Sequence, residues 1–331
     1  MERTQFSVAM CTYNGARYLR EQLESVASQR LLPDEMVICD DDSSDETVQM
    51  LREFAGRAPF LVRLFVNDIT LGATKNFEKA IGLCQMPIIV LCDQDDVWHP
   101  DKLECIDRVF RERPRSAAVF SDAELIGDDS HLLQGTLWES FSFTPHEQNL
   151  FNYGRGLQVL LKHRTVTGAT MAFRQEYRDL VVPIPANHVH DSWISFLLAS
   201  VSEIALIERP TIRYRRHAKQ VCGLRQRETL REEFVSSLRA DRSSYLPEVA
   251  QLEEVCTRLV ERSDRFPCRT NAIPLIRAKI RHQRARAMPS SSWTSRLAII
   301  LREIATLGYW RYSKGFKSAA KDLFVCFVPQ W

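Results

Sequence analysis

The chain has 331 residues, 45% apolar and 26% charged, with a formal net charge of +2. That length exceeds what one hydrophobic core usually needs, and the composition is that of an ordinary soluble globular protein, so one large domain with a smaller appendage is expected. A bulk charge so close to zero excludes a whole-molecule polyanion binder, although the charge is uneven: from Asn271 to Trp331, eleven Lys or Arg face only two acids, Glu303 and Asp322.

In chain order, Phe6–Thr12 is a short apolar run reached at once, and with no apolar h-region in the sequence no secretory signal is expected. Ala16–Gln29 follows with Leu19, Leu23 and Val26 on one helical face. Met36–Cys39 reads as a second strand, and Val48, Leu51 and Phe54 mark a second helix. Val62–Val66 is a third strand, Ala73–Cys84 a third helix, and Ile88–Cys92 a fourth, wholly apolar strand. Pro100 opens a helix through Leu103, Ile106 and Phe110, because proline suits a first helical turn, and Val119–Phe120 marks a fifth strand. The stretch from Gly127 to Arg164 is irregular and carries Trp138, Phe141, Phe143, Phe151 and Tyr153, either an aromatic-rich loop over a ligand site or satellite packing. Val166–Phe173 reads as a strand, His190–Ser202 as a helix and Thr211–Tyr214 as an edge strand. Beyond Arg225 the pattern is helical, at Leu230–Leu238, Glu248–Glu261, Ala272–Ala287 and Thr294–Leu307. These patterns place a boundary near residue 222, between an α/β domain at 1–222 and a basic, helical region at 223–331.

Alternating strands and helices predict an α/β fold with a mostly parallel central sheet and helices on both faces, which binds ligands beyond the carboxyl ends of its strands. The polar clusters fall there: Thr12-Tyr13-Asn14 after strand one, Asp40-Asp41-Asp42 after strand two, Asn67-Asp68 after strand three, and Asp93-Gln94-Asp95-Asp96 after strand four. Three carboxylates within four residues repel one another unless solvated or neutralised, and a hard divalent cation such as Mg²⁺ or Mn²⁺ would serve. The alternative for this run is a solvated turn before the Pro100 helix. Asp45 suits helix capping and Asp41 suits a ligand. Lys75 opens helix three, where a phosphate could bind, and His217 follows the last strand, where it could approach a diphosphate or metal. No Gly-rich dinucleotide or P-loop motif is present, so phosphates would be held through the metal.

Ser7–Asn14, Val37–Asp45, Asn67 with Gly72 and Lys75-Asn76, and Leu91–Asp96 together resemble the glycosyltransferase family 2 pattern in order and spacing, over roughly residues 5–220. His190-Asp191-Ser192-Trp193 and Tyr214-Arg215-Arg216-His217 are similar to motifs of the branch holding bacterial rhamnosyltransferases. Asp42 departs from the family's usual glycine. The resemblance implies a GT-A fold and inverting transfer of a sugar, rhamnose in that branch, from a dTDP- or UDP-linked donor to a glycan or lipid-linked glycan. It implies donor contacts from Thr12, Tyr13, Asn14, Asp41, Lys75, Asp93 and Asp95, a metal at Asp95 with His217, Asp191 as catalytic base, and Gly168 and Trp193 on the acceptor side.

Two other readings stay open: a sugar-1-phosphate nucleotidyltransferase, and an impaired transferase acting as a scaffold. Nine cysteines without a Cys-x-x-Cys pair read as buried thiols in a reducing compartment. No apolar run reaches the about 20 residues of a membrane span. The expected location is the cytoplasm, free or on the inner membrane's cytoplasmic face, where Arg277, Lys279, Arg281, Arg284 and Arg286 with the later Trp310, Tyr312 and Phe316 suit anionic lipid, the alternative being a helical bundle packed on the first domain with a solvated basic face. No nucleic-acid-binding module is recognisable.

Overall fold

A computed structural model describes residues 3–218, 220, 245–287 and 293–327. Strands β1 (Phe6–Thr12), β2 (Glu35–Asp40) and β4 (Ile88–Cys92) are buried along their whole length, which is why they read as continuous apolar runs. β3 (Leu61–Val66) is only partly covered because it lies at the sheet edge. Helix α1 (Ala16–Ala27) buries Leu19, Leu23 and Val26; α2 (Thr47–Ala55) buries Leu51 and Phe54; α3 (Ala73–Leu83) buries Phe77 and Ile81. After the two-residue strand β5 (Val97–Trp98), α4 (Lys102–Glu112) buries Leu103, Ile106 and Phe110.

The sheet runs β3-β2-β1-β4-β8-β6-β9-β5, with β7 paired to β6. The pairs of β1 with β2, β2 with β3 and β1 with β4 are parallel, so their carboxyl ends share one edge. Beyond β4 the expected parallel order breaks. β8 (Met171–Arg174) inserts antiparallel between β4 and β6 (Ser116–Ile126), and the sheet becomes mixed. The expected strand over 166–173 is thereby shortened: Gly168–Thr170 is a 3₁₀ turn whose backbone bonds to side chains instead of to a ladder. The final strand is longer than its sequence pattern. β9 (Glu203–Arg215) lies between β6 and β5 and is not an edge strand; its pairing with β6 shifts register around Pro210, which cannot donate a ladder bond.

The irregular stretch from Gly127 resolves into β7 (Leu132–Thr136) and helices α5 (Leu137–Ser140), α6 (Pro145–Asn152) and α7 (Gly156–Leu160). Thr136 with Glu139 and Thr144 with Glu147 form capping boxes that start α5 and α6. Trp138, Phe143 and Phe151 are buried edge-to-face around Phe120, so they are packing and not a sugar-facing loop. Helices α8 (Arg178–Val181) and α9 (His190–Val201) complete this part.

Contacts divide the chain into two units, Met1–Gly156 with Thr165–Gly223, and Leu157–Arg164 with Leu224–Trp331. The second contains α10 (Leu246–Glu261), α11 (Ala272–Ala287), α12 (Trp293–Ala305), α13 (Gly308–Tyr312) and α14 (Phe316–Phe327). The expected helix over Leu230–Leu238 lies outside the described residues. The basic stretch of α11 is not one solvated face. Lys279 is 3% exposed and pairs with Glu248 at 3.0 Å. Arg286 chelates Asp322 at 2.7 and 3.2 Å, and His282 meets Glu303 at 2.6 Å. Arg277, Arg281 and Arg284 stay at the surface. Among the described residues no helix is long and apolar enough to cross a membrane, and the cysteines there are free thiols.

Candidate active site

The loops leaving β1, β2, β3 and β4 meet at the shared edge and are stitched together by their own polar residues. Asp40, fully buried, accepts from Thr12 Oγ1 at 2.7 Å, Ser43 N at 2.9 Å and Ser43 Oγ at 2.7 Å. Asn14 Oδ1 accepts from Ser44 N at 2.9 Å. The Gln94 side chain clamps the Tyr13 backbone, accepting from its N at 2.8 Å and donating to its O at 3.1 Å. A Cβ on Gly15 would come 2.1 Å from Gln94 Oε1, so the position must be glycine for the clamp to close. Asp42 adopts a left-handed backbone with φ 66, which glycine takes freely and aspartate tolerates. The departure from glycine therefore keeps the turn.

Several residues expected on ligands are held by protein. Asp41 accepts from Asn67 Nδ2, Leu71 N and Gly72 N, each at 2.8 Å, and orders the loop after β3. Lys75 Nζ donates to Glu78 at 2.5 Å and to Ile184 O at 3.1 Å, tying α3 to the segment before α9. Asp45, expected to cap the following helix, accepts from Thr47 N at 3.0 Å and Ala16 N at 3.2 Å; burial opposes its ionisation, but these bonds prevail and lower its pKa. Trp193, expected toward an acceptor, is 1% exposed with its indole donating to Val181 O at 2.7 Å, so it is a core residue. Tyr13 and Asn14 remain exposed at the rim.

The acidic run and Asp191 do come together. Burial first, then the charges of Asp95 and Asp191, push the Asp93 carboxyl up from 3.8 to about 7, while Lys102 pulls it down. Asp96 is 1% exposed; it accepts from Arg215 N at 3.0 Å through one oxygen, and its other oxygen has no partner. Burial, then Asp95 and Asp93, raise its pKa well above the carboxylate range. Asp95 Oδ2 lies 2.8 Å from His217 Nε2, 122 residues apart, with the imidazole against the Tyr18 ring at 4.9 Å. Asp191 opens α9 and accepts from Gly168 N at 3.1 Å. A Cβ at Gly168 would fall 2.7 Å from His190 Nε2, so glycine admits the close approach of the turn to α9. His190 stacks on Phe77 at 4.0 Å with both ring nitrogens unbonded, and burial lowers its pKa.

Two buried cations underlie the site; Lys102 has no motif to mark it, whereas Arg215 lies in the Tyr214-Arg215-Arg216-His217 segment without a role assigned to it from sequence. Lys102 is wholly buried, donates to Ala169 O at 2.7 Å and lies 3.9 Å over Trp98; burial lowers it to about 8, although Cys92, Asp96 and Asp93 oppose that. Arg215 is wholly buried and donates to Asp95 O at 2.7 Å, Ser130 Oγ at 2.8 Å and Glu21 at 2.5 Å.

The donor set suits a hard divalent ion: Asp95 and His217 converge, and among the described residues the neighbouring Asp93 forms no ion pair. Among the described residues no three His, Cys, Asp or Glu form a ready cage. Mg²⁺ or Mn²⁺ typically takes one or two protein ligands and completes its sphere with water and phosphate oxygens.

A mixed α/β sheet with carboxylates gathered at the carboxyl edge of its parallel strands defines a GT-A glycosyltransferase, and solved structures share that fold. Staphylococcus aureus TarS 1–349, in complex with UDP-GlcNAc, superposes with a TM-score of 0.54 at 18% identity, covering 97% of this chain and 90% of its own. The Pyrobaculum calidifontis mannosyltransferase PcManGT, in complex with GDP-Man and Mn²⁺, gives a TM-score of 0.50 at 16% identity, covering 98% and 86%. The chain belongs to glycosyl transferase family 2, whose profile matches residues 7–180. An uncharacterized protein of Mycobacterium tuberculosis is 29% identical over 219 residues, 64% of this chain and 59% of its own, so the chain spans about three fifths of that relative. The dTDP-rhamnosyl transferase RfbG of Shigella flexneri is 36% identical over 100 residues, 29% of this chain and 34% of its own.

Proposed function

We propose that the chain is a divalent-metal-dependent inverting glycosyltransferase that moves a sugar from a dTDP- or UDP-linked donor to a hydroxyl of a glycan or lipid-linked glycan in surface polysaccharide synthesis. The carrying observation is the convergence of Asp93, Asp95, His217 and Asp191 at one sheet edge. Asp95 and His217 would hold the metal, which when bound neutralises the leaving diphosphate. Thr12, Tyr13, Asn14 and Asp41 shape the nucleotide side, Thr12 and Asp41 by fixing the loops, while Asp93 borders the sugar. Asp191, oriented by Gly168 N–H, takes the acceptor proton through its other oxygen. Rhamnose is the sugar in the Shigella relative's name.

The helical unit supports a peripheral position on a cytoplasmic membrane face. Trp293, Leu301, Trp310, Phe316 and Phe324 are exposed, as are Arg311, Lys314 and Lys317 among them.

Incubating the protein with dTDP-rhamnose, UDP-sugars and Mn²⁺ or Mg²⁺ tests the reading. Slow release of nucleoside diphosphate is expected. Pyrophosphate as product, or no turnover of any donor, overturns it. Asp191→Asn should spare donor binding and lower kcat by about 10²–10⁴-fold; a full transfer rate removes Asp191 from the base role.

A further inference from the structure

On the helical unit, α10 and α11 bound a cavity of about 420 Å³ that the transfer chemistry does not use. α11 contributes Arg277, Arg281 and Arg284, which recur at helical spacing on one face; α10 contributes Glu253, Cys256 and Thr257. The charge here differs from that on the rest of α11. Lys279, His282 and Arg286 each face a named acid. In the cavity only Arg284 does, pairing with Glu253, while Arg277 and Arg281 have no ion-pair partner among the described residues. Thr257 donates its hydroxyl hydrogen to Glu253 O at 3.0 Å, and Ile280 is 6% exposed in the lining.

We propose that this cavity is a binding site for a phosphate-bearing anion, gripped by the Arg277 and Arg281 guanidiniums with Arg284 as a third donor once Glu253 yields it. Guanidinium forks match phosphate oxygens bidentately, and two unpaired forks one turn apart leave a surplus of positive charge that a phosphomonoester or diphosphate neutralises. The volume is within the range of small-molecule sites. Two sources share this chemistry, a soluble phosphate compound and the headgroup of an anionic lipid. The site lies in a different unit from the sheet-edge carboxylates and is independent of the sugar-transfer reading.

The test uses the full chain and two probes: inorganic pyrophosphate by titration calorimetry, and sedimentation with vesicles containing phosphatidic acid against neutral phosphatidylcholine vesicles. The double variant R277Q/R281Q, both positions exposed, should bind about tenfold more weakly to whichever probe the native protein binds. E253Q, which frees Arg284, should bind more tightly by severalfold. R311Q/K314Q, elsewhere on the unit, controls for general charge and should leave pyrophosphate binding unchanged. Loss on the pyrophosphate arm identifies a soluble ligand, and loss on the phosphatidic acid arm alone identifies a headgroup. Equal binding by native protein and R277Q/R281Q, or binding to neither probe, overturns the site. Donor turnover by R277Q/R281Q should be native, which separates this outcome from a failure of the transferase reading.

Discussion

Replacing Asp93 by Asn should stabilise the metal-free protein while destroying its transfer activity. Asp93 is raised from 3.8 to about 7 by burial and by Asp95 and Asp191. A carboxyl raised on folding binds its proton more tightly in the native state, so its ionisation opposes folding. That cost is fully present above about pH 7 and is lost as the pH falls from there toward 3.8. The three-unit rise corresponds to a cost on the order of 4 kcal/mol at pH 8. Asparagine carries no charge but must still be desolvated, so the net gain should be ~2–4 kcal/mol at pH 8, and less than half of that at pH 5. For a unit of this size each kcal/mol moves Tm by about 2–4 °C. Thermal denaturation in chelator from pH 5 to pH 8 measures it. A variant less stable than native at pH 8, or a gain that does not change with pH, refutes the reasoning.

Mn²⁺ should raise the Tm of the native protein at pH 8 and leave Asp95→Ala unmoved, since a ligand of the folded state stabilises only where it binds; equal shifts in both place the ion elsewhere. Asp42→Gly should keep activity with stability within about 1 kcal/mol of native, while Asp42→Val should lose ~1–3 kcal/mol at a backbone of φ 66; a valine variant as stable as native would deny strain there.

β1, β2 and β4 were legible because they are covered on both faces, the edge strand β3 because it is an apolar run, and their helices because each shows an apolar stripe, as with Leu19, Leu23 and Val26 in α1. The shared edge followed from their parallel order. What failed was long-range. β8 is antiparallel because a strand of four residues can pair either way, and the direction is set by the chain entering through the Gly168–Thr170 turn. The start of β9 follows α9 with only Ser202 between them, so its apolar residues continue the helix's own pattern. The starts of α5 and α6 are marked in the sequence by the Thr-x-x-Glu spacing of the capping boxes at Thr136 and Thr144. Within the site, Asp95 with His217 was anticipated from sequence. The buried role of Trp193 was not, because a tryptophan beside a reactive aspartate looks the same in sequence whether it faces a substrate or the core.

The placement of the two buried cations explains how so much negative charge persists at the edge. Lys102 and Arg215 both lie within reach of the acidic run, yet the ammonium bonds to Ala169 O and the guanidinium Nε to Asp95 O, each a backbone carbonyl. Neither side chain forms an ion pair with Asp93, Asp95 or Asp96 among the described residues; Arg215 meets Asp96 only through its backbone N–H. Bonds of this kind fix where the loop and the Gly168 turn stand and leave Asp93 without a lysine or arginine ion pair among the described residues, while Asp95 meets His217. A direct Lys102–Asp93 ion pair would have made the fold more stable and the edge less able to draw a divalent ion. On the proposed metal-dependent reading, the charge whose cost Asp93→Asn should remove is the same charge that would favour a divalent ion and the donor diphosphate.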